Sequence, residues 1–94
     1  MLVQHTPRLV RCAPRFPNRI RSYRVQHGLS QRALAAQLGQ RRASVSAWER
    51  GCHLPTVPNL FRLARALDTL GESLYWALYT QAASGSARLH TAHR

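Results

Sequence analysis

Lysine is absent from the 94 residues and acid nearly so: fourteen arginines face only Glu49, Asp68 and Glu72, giving a formal net charge of +11. Such an excess points to a polyanionic partner, although arginine in place of lysine is also what a GC-rich genome produces. The arginines are scattered through an apolar helical pattern and do not line one long amphipathic helix, which favours nucleic acid over a membrane surface. No apolar run approaches the ~20 residues that span a bilayer, and the N-terminus lacks the apolar core and small-residue cleavage site of a signal peptide. Cysteine is scarce as well. Cys12 and Cys52 are too few and too far apart in sequence for a disulfide framework or a zinc site, so reduced thiols in the cytoplasm are expected.

The functional groups of an enzyme are also missing. No nucleophile–base pair, paired carboxylates, glycine-rich phosphate loop or metal cluster can be assembled, so neither catalysis nor a cofactor is expected. Strand-period alternation and internal repeats are lacking, and a chain of this length holds one domain of about 60 residues with short tails.

What is present is a run of helix signals between two weakly structured ends. Residues 1–17 carry Pro7, Pro14 and Pro17 among Arg8, Arg11 and Arg15 without periodic hydrophobes, and read as a flexible basic arm. Residues 82–94 are small and polar and read as a flexible tail. Between them, residues 18–81 read as an all-α domain of five helices. Asn18 is expected to cap the first helix and Gly28 to end it, with Ile20 and Tyr23 facing inward. Ser30 caps the second, in which Leu34, Ala35 and Leu38 share a face and after which Gly39 ends the helix. The third runs from about Arg42 to Arg50, with Val45 and Trp48 inward and Gly51 closing it. Thr56 caps the fourth, with Pro58 in its first turn and Leu60, Leu63, Ala64 and Leu67 as its stripe. The last spans about Glu72 to Gln81, with Leu74, Ala77 and Leu78 on the domain side.

Two short helices joined by a turn that begins with glycine, with small Ala35 at the crossing, form a helix-turn-helix over about 31–50. The string from Ile20 to Leu74, with its GLSQ, LAxxLG, SxWERG, LPT and LxxLARAL elements, resembles the Cro and phage-repressor (xenobiotic-response-element) type of helix-turn-helix protein. The resemblance implies a compact lambda-repressor-like DNA-binding domain whose partner is double-stranded DNA, with a cytoplasmic location. It places Gln31 at a helix N-terminus that grips a phosphate and braces the recognition helix. Arg42, Ala43, Ser46 and Ala47 would look into the major groove, with Ser44 near the backbone and Gln40, Arg41 and Arg50 at the same surface. Arg42 is the base-reading candidate, its fork matching O6 and N7 of guanine, or else it contacts phosphate alone. Arg24 and Glu49 match positions that pair in relatives and lock the first helix against the third.

Three departures from the family pattern limit how far its readout carries over. Arg41 stands where Ser or Thr usually caps the recognition helix, Gln40 replaces a small or β-branched turn residue, and Ala47 replaces a long polar side chain. Direct base contacts should therefore be few, leaving more of the binding to DNA shape and to arginine–phosphate contacts. Tyr75, Trp76 and Tyr79 form a candidate aromatic patch for a homodimer, unless the arm or tail covers them. Two functions fit the resemblance: a dimeric repressor or regulator on an inverted-repeat operator, and an antitoxin that autoregulates its operon while a flexible arm or tail binds a toxin protein.

Overall fold

A computed structural model describes residues 12–82. Its helices are α1 (Ile20–Gln26), α2 (Gln31–Leu38), α3 (Arg42–Glu49), α4 (Val57–Ala66), α5 (Gly71–Leu74) and α6 (76–82), with no strand among the described residues. None of these helices is long and apolar enough to cross a membrane.

Local chemistry sets most of the boundaries. Ser30 Oγ accepts the Ala33 N–H at 2.9 Å and Thr56 Oγ1 accepts the Asn59 N–H at 3.3 Å, so each satisfies a donor that its helix leaves free. Four helices end with the same pair of backbone bonds. After α2, Gln40 N–H reaches Ala35 O at 2.9 Å and Gly39 N–H reaches Ala36 O at 3.2 Å; after α3, Cys52 and Gly51 repeat the arrangement on Ala47 and Trp48. This turn needs a left-handed residue, supplied by Gly39 (φ +66°) and Gly51 (φ +78°). At the end of α4 the same place is taken by Asp68 at φ +53°, where Thr69 N–H reaches Ala64 O.

The core is shared by all the helices up to Tyr75. Ile20, Leu34, Val45, Leu63, Leu67 and Leu74 are fully buried, and Ala35, Leu38, Trp48, Ala64 and Tyr75 complete the cluster. Tyr23, Leu60 and Leu78 are partly buried against it, close to their expected places.

The structure corrects the sequence reading at four points. The cap of α1 is Arg19, with no side-chain bond of its own, while Asn18 Oδ1 accepts the Ile20 N–H at 3.1 Å from one residue further out. The single last helix expected over 72–81 is broken at Tyr75 (φ −117°, ψ 48°), because the Leu74 carbonyl accepts the Arg19 N–H at 2.8 Å instead of continuing the helix. The break turns Tyr75 into the core and Ala77 out to solvent, while Leu74 and Leu78 keep their expected inward places. Helix α6 includes Ala82, which was placed with the tail.

The fourth correction is the cysteine pair. A disulfide joins Cys12 to Cys52, with the two Cα atoms 5.6 Å apart, where reduced thiols were expected. Their separation of 40 residues hid the pairing, which depends on the chain before α1 folding back along the end of α3. Arg15 and Phe16 N–H both donate to Gly51 O, at 3.0 and 3.2 Å, and Phe16 packs against the core. Residues 12–17, grouped with the arm on composition, are therefore tied to the domain, while the rest of the arm and residues 83–94 lie outside the described residues.

Candidate nucleic-acid interface

The candidate recognition surface rests on how α3 is fixed to its neighbours. Arg24 on α1 grips Glu49 with two bonds, Nε to Oε2 at 2.5 Å and Nη2 to Oε1 at 3.1 Å, and donates through Nη1 to Leu29 O at 2.8 Å. Both side chains are nearly buried, at 11% and 5% exposure, so each charge depends on the other. The hydrogen bond to Glu49 raises the Arg24 pKa above its ordinary value, against the opposing effect of burial, and the Glu49 charge adds to the rise. The ion pair locking α1 to α3 is thus present, as the resemblance implied.

The network continues outward. Gln31 Nε2 donates to Glu49 Oε1 at 3.0 Å, and Arg42 Nη1 donates to Gln31 Oε1 at 3.2 Å. A single polar chain runs from Arg24 through Glu49 and Gln31 to the exposed Arg42, crossing α1, α3 and α2. The Gln31 amide bridges α2 and α3, donating to Glu49 and accepting from Arg42.

Helix α3 starts at Arg41, whose backbone is extended (φ −85°, ψ 151°) and whose side chain makes no capping bond. The start of α3 has no side-chain cap, and Arg41 and Arg42 there are exposed, a combination that suits an anion. Along the helix, Ala43 is exposed, and Gln40, Ser44, Ser46 and Ala47 are half-buried. Val45 and Trp48 face the core. At the far end the exposed Arg50 donates from Nε to Ser46 Oγ at 3.3 Å and from Nη1 to Cys52 Sγ at 3.4 Å. The outward face of α3 therefore presents small side chains flanked by arginine at both ends. Its one carboxylate, Glu49, is neutralised by Arg24.

Sequence reasoning missed one structural residue and one linkage here. Asn18 Nδ2 donates to Trp48 O at 2.8 Å and to Phe16 O at 2.9 Å, tying the end of α3 to the chain before α1. The Asn18 signal was legible only as a cap, because the Trp48 carbonyl, 30 residues away, is brought to it by tertiary folding. The bond from Arg50 to Cys52 is local, two residues apart, and depends on side-chain rotamers that residue pattern does not reveal.

Residues 20–73 match the helix-turn-helix family. The chain belongs to that family, in its Cro/phage-repressor (xenobiotic-response-element) branch. It is 32% identical over 57 residues to an uncharacterized HTH-type transcriptional regulator of Archaeoglobus fulgidus, covering 61% of this chain and 81% of that protein. Its fold is similar to that of the restriction-modification controller protein C.AhdI from Aeromonas hydrophila, with a TM-score of 0.56 and 38% identity over 61% of this chain and 86% of the other. A hypothetical transcription factor from Neisseria, NHTF, gives 0.55 and 38%, over 60% and 64% of the two chains. The clp gene regulator ClgR from Corynebacterium glutamicum gives 0.53 and 27%, over 79% and 73%. The protein is a transcriptional regulator with a helix-turn-helix DNA-binding domain.

Proposed function

We propose that the protein is a sequence-specific repressor that lays α3 in the major groove of an inverted-repeat operator and binds as a homodimer. The observation that carries this reading is the bond from Arg42 Nη1 to Gln31 Oε1, anchored in turn on the nearly buried Glu49. It holds the guanidinium at the start of the recognition helix and leaves the N–H groups of Nη2 and Nε to reach O6 and N7 of a guanine. Arg41 and Arg50, exposed at the two ends of α3, supply phosphate contacts, as do the first-turn N–H groups. With Ala43 and Ala47 on the reading face, Arg42 carries most of the base discrimination.

The dimer contact proposed from sequence is altered by the burial of Tyr75, which is 7% exposed and belongs to the core. Phe61, beside Tyr79, takes its place in the patch, with Phe61, Trp76 and Tyr79 all about half or more exposed. The Trp76 and Tyr79 rings stack 5.5 Å apart, and Tyr79 and Phe61 line one shallow depression between α4 and α6. A short helix reads only a few base pairs. Two-fold pairing through this strip would put two copies of α3 on half-sites about 34–36 Å apart.

Footprinting on the DNA upstream of the protein's own gene should give an inverted repeat, and Arg42→Ala should cost ~1–3 kcal/mol of discrimination at one base pair per half-site. Equal loss of affinity for operator and random duplex would reject base reading by Arg42.

A further inference from the structure

The Cys12–Cys52 bridge has no part in the DNA reading above, yet it closes at the end of the recognition helix. Cys52 follows Gly51 directly, and its sulfur lies 3.4 Å from the Arg50 guanidinium at the edge of the proposed DNA surface. An open depression lined by Cys12, Ala13, Arg15, Cys52 and His53 gives solvent a path to the pair. Cys12 is partly exposed and Cys52 is buried. The helices share a core that does not include Cys12, and among the described residues backbone bonding of the N-terminal segment to the domain begins at Arg15.

We propose that Cys12 and Cys52 form a thiol–disulfide exchange site, whose co-reactant is a small-molecule thiol and its disulfide, and that closing the bridge tightens DNA binding by fixing the arm beside Arg50. In opening, a small thiolate attacks the more accessible Cys12 sulfur, the bond to Cys52 breaks, and Cys52 leaves as a thiolate. The Arg50 guanidinium stabilises that anion, which favours cleavage in this direction. A second small thiolate then attacks the mixed disulfide at its small-molecule sulfur and releases Cys12. Two thiols become one disulfide; one of their protons passes to the Cys12 thiolate and the other is released to solvent, leaving Cys52 as a thiolate paired with Arg50. Closure runs the same steps in reverse.

Opening changes the arm more than the domain. Residues 12–14 lose their covalent tie, and Arg15, exposed and held by its backbone N–H on Gly51 O and by its guanidinium over the Phe16 ring, is less firmly held near the end of α3. Arg50 is drawn toward the Cys52 thiolate and away from phosphate. Both effects lower the positive charge presented to DNA in the open state.

The DNA half of this proposal rests on the reading of α3 as the recognition helix, so the test separates the two. The full-length protein, oxidised with cystine or reduced with dithiothreitol, is alkylated and weighed, then titrated with the footprinted operator and with random duplex. The oxidised form should take up no alkylating agent and the reduced form two equivalents. Reduction should weaken operator binding about three- to tenfold and flatten its salt dependence, as expected for losing one phosphate contact. Cys12→Ser, which leaves the core untouched, should bind like the reduced protein and ignore dithiothreitol. Two alkylated cysteines after cystine treatment, or a bridge that forms only between two molecules, would overturn the exchange site. Equal operator affinity in both redox states would overturn the coupling while leaving the DNA reading intact. Failure of both states to bind any duplex would overturn the DNA reading and the coupling together, with alkylation still deciding the site.

Discussion

Around α3, position is set by directional polar contacts: the Arg24–Glu49 pair, the Gln31 amide between Glu49 and Arg42, and Asn18 on the Trp48 carbonyl. Across α4, α5 and α6 it is set mainly by apolar area, with Leu63, Leu67, Leu74 and Tyr75 buried and Phe61, Trp76 and Tyr79 left in solvent. The difference matches the two tasks proposed above. Reading a base edge requires a guanidinium held to within a fraction of an ångström, which hydrogen bonds with fixed directions provide. Joining two copies requires area, and a strip of aromatic rings supplies it with little need for exact placement.

The comparison predicts that substitutions on the two sides fail differently. The largest effect on folding should come from Glu49→Ala, which leaves the Arg24 guanidinium nearly buried and unpaired. A loss of about 3–5 kcal/mol is expected, seen as a fall in Tm of more than about 10 °C. A wild-type melting curve would show that packing, and not the polar chain, fixes α3.

A smaller effect should come from Tyr75. Burial pushes its hydroxyl from 10.0 up to about 12, and its Oη has no hydrogen-bond partner among the described residues. Because the folded state favours the neutral phenol, this contribution to stability is intact below about pH 10. It is lost as pH rises toward about 12, where the unfolded chain ionises first. Tyr75→Phe should flatten that part of the stability–pH profile and be harmless at neutral pH. A profile unchanged by the substitution would mean that the ring is hydrated.

The smallest effect on folding is expected from Trp76→Ala combined with Tyr79→Ala. Both rings are close to half exposed, so helix content by circular dichroism should be retained. Sedimentation should then show a monomer that has lost specific affinity but keeps salt-sensitive binding to random DNA. A dimer that survives both substitutions would move the contact elsewhere.

The parts of this molecule that were legible in the sequence are those decided within about one turn of helix. Ser30 and Thr56 cap as read, Gly28, Gly39 and Gly51 follow helix ends, and the apolar spacing marks the core of α2, α3 and α4. The Arg24–Glu49 pair and the placement of Gln31 came from family resemblance. The remainder was set by partners distant in sequence. The break at Tyr75 depends on Arg19 reaching the Leu74 carbonyl, and the disulfide depends on the strap along Gly51. Asp68 in a left-handed turn gave no warning, because the usual mark of that turn is glycine.

Asn18 also carries a genetic consequence. Its amide nitrogen serves two carbonyls and its oxygen one N–H, so it needs both a donor and an acceptor on the same side chain. Aspartate has nearly the same shape and lies one nucleotide away, since both asparagine codons become aspartate codons when their first adenine changes to guanine. The aspartate would keep the bond to Ile20 but set a carboxylate against the Phe16 and Trp48 carbonyls. At this codon one of the most conservative-looking missense changes should therefore behave as a loss of function.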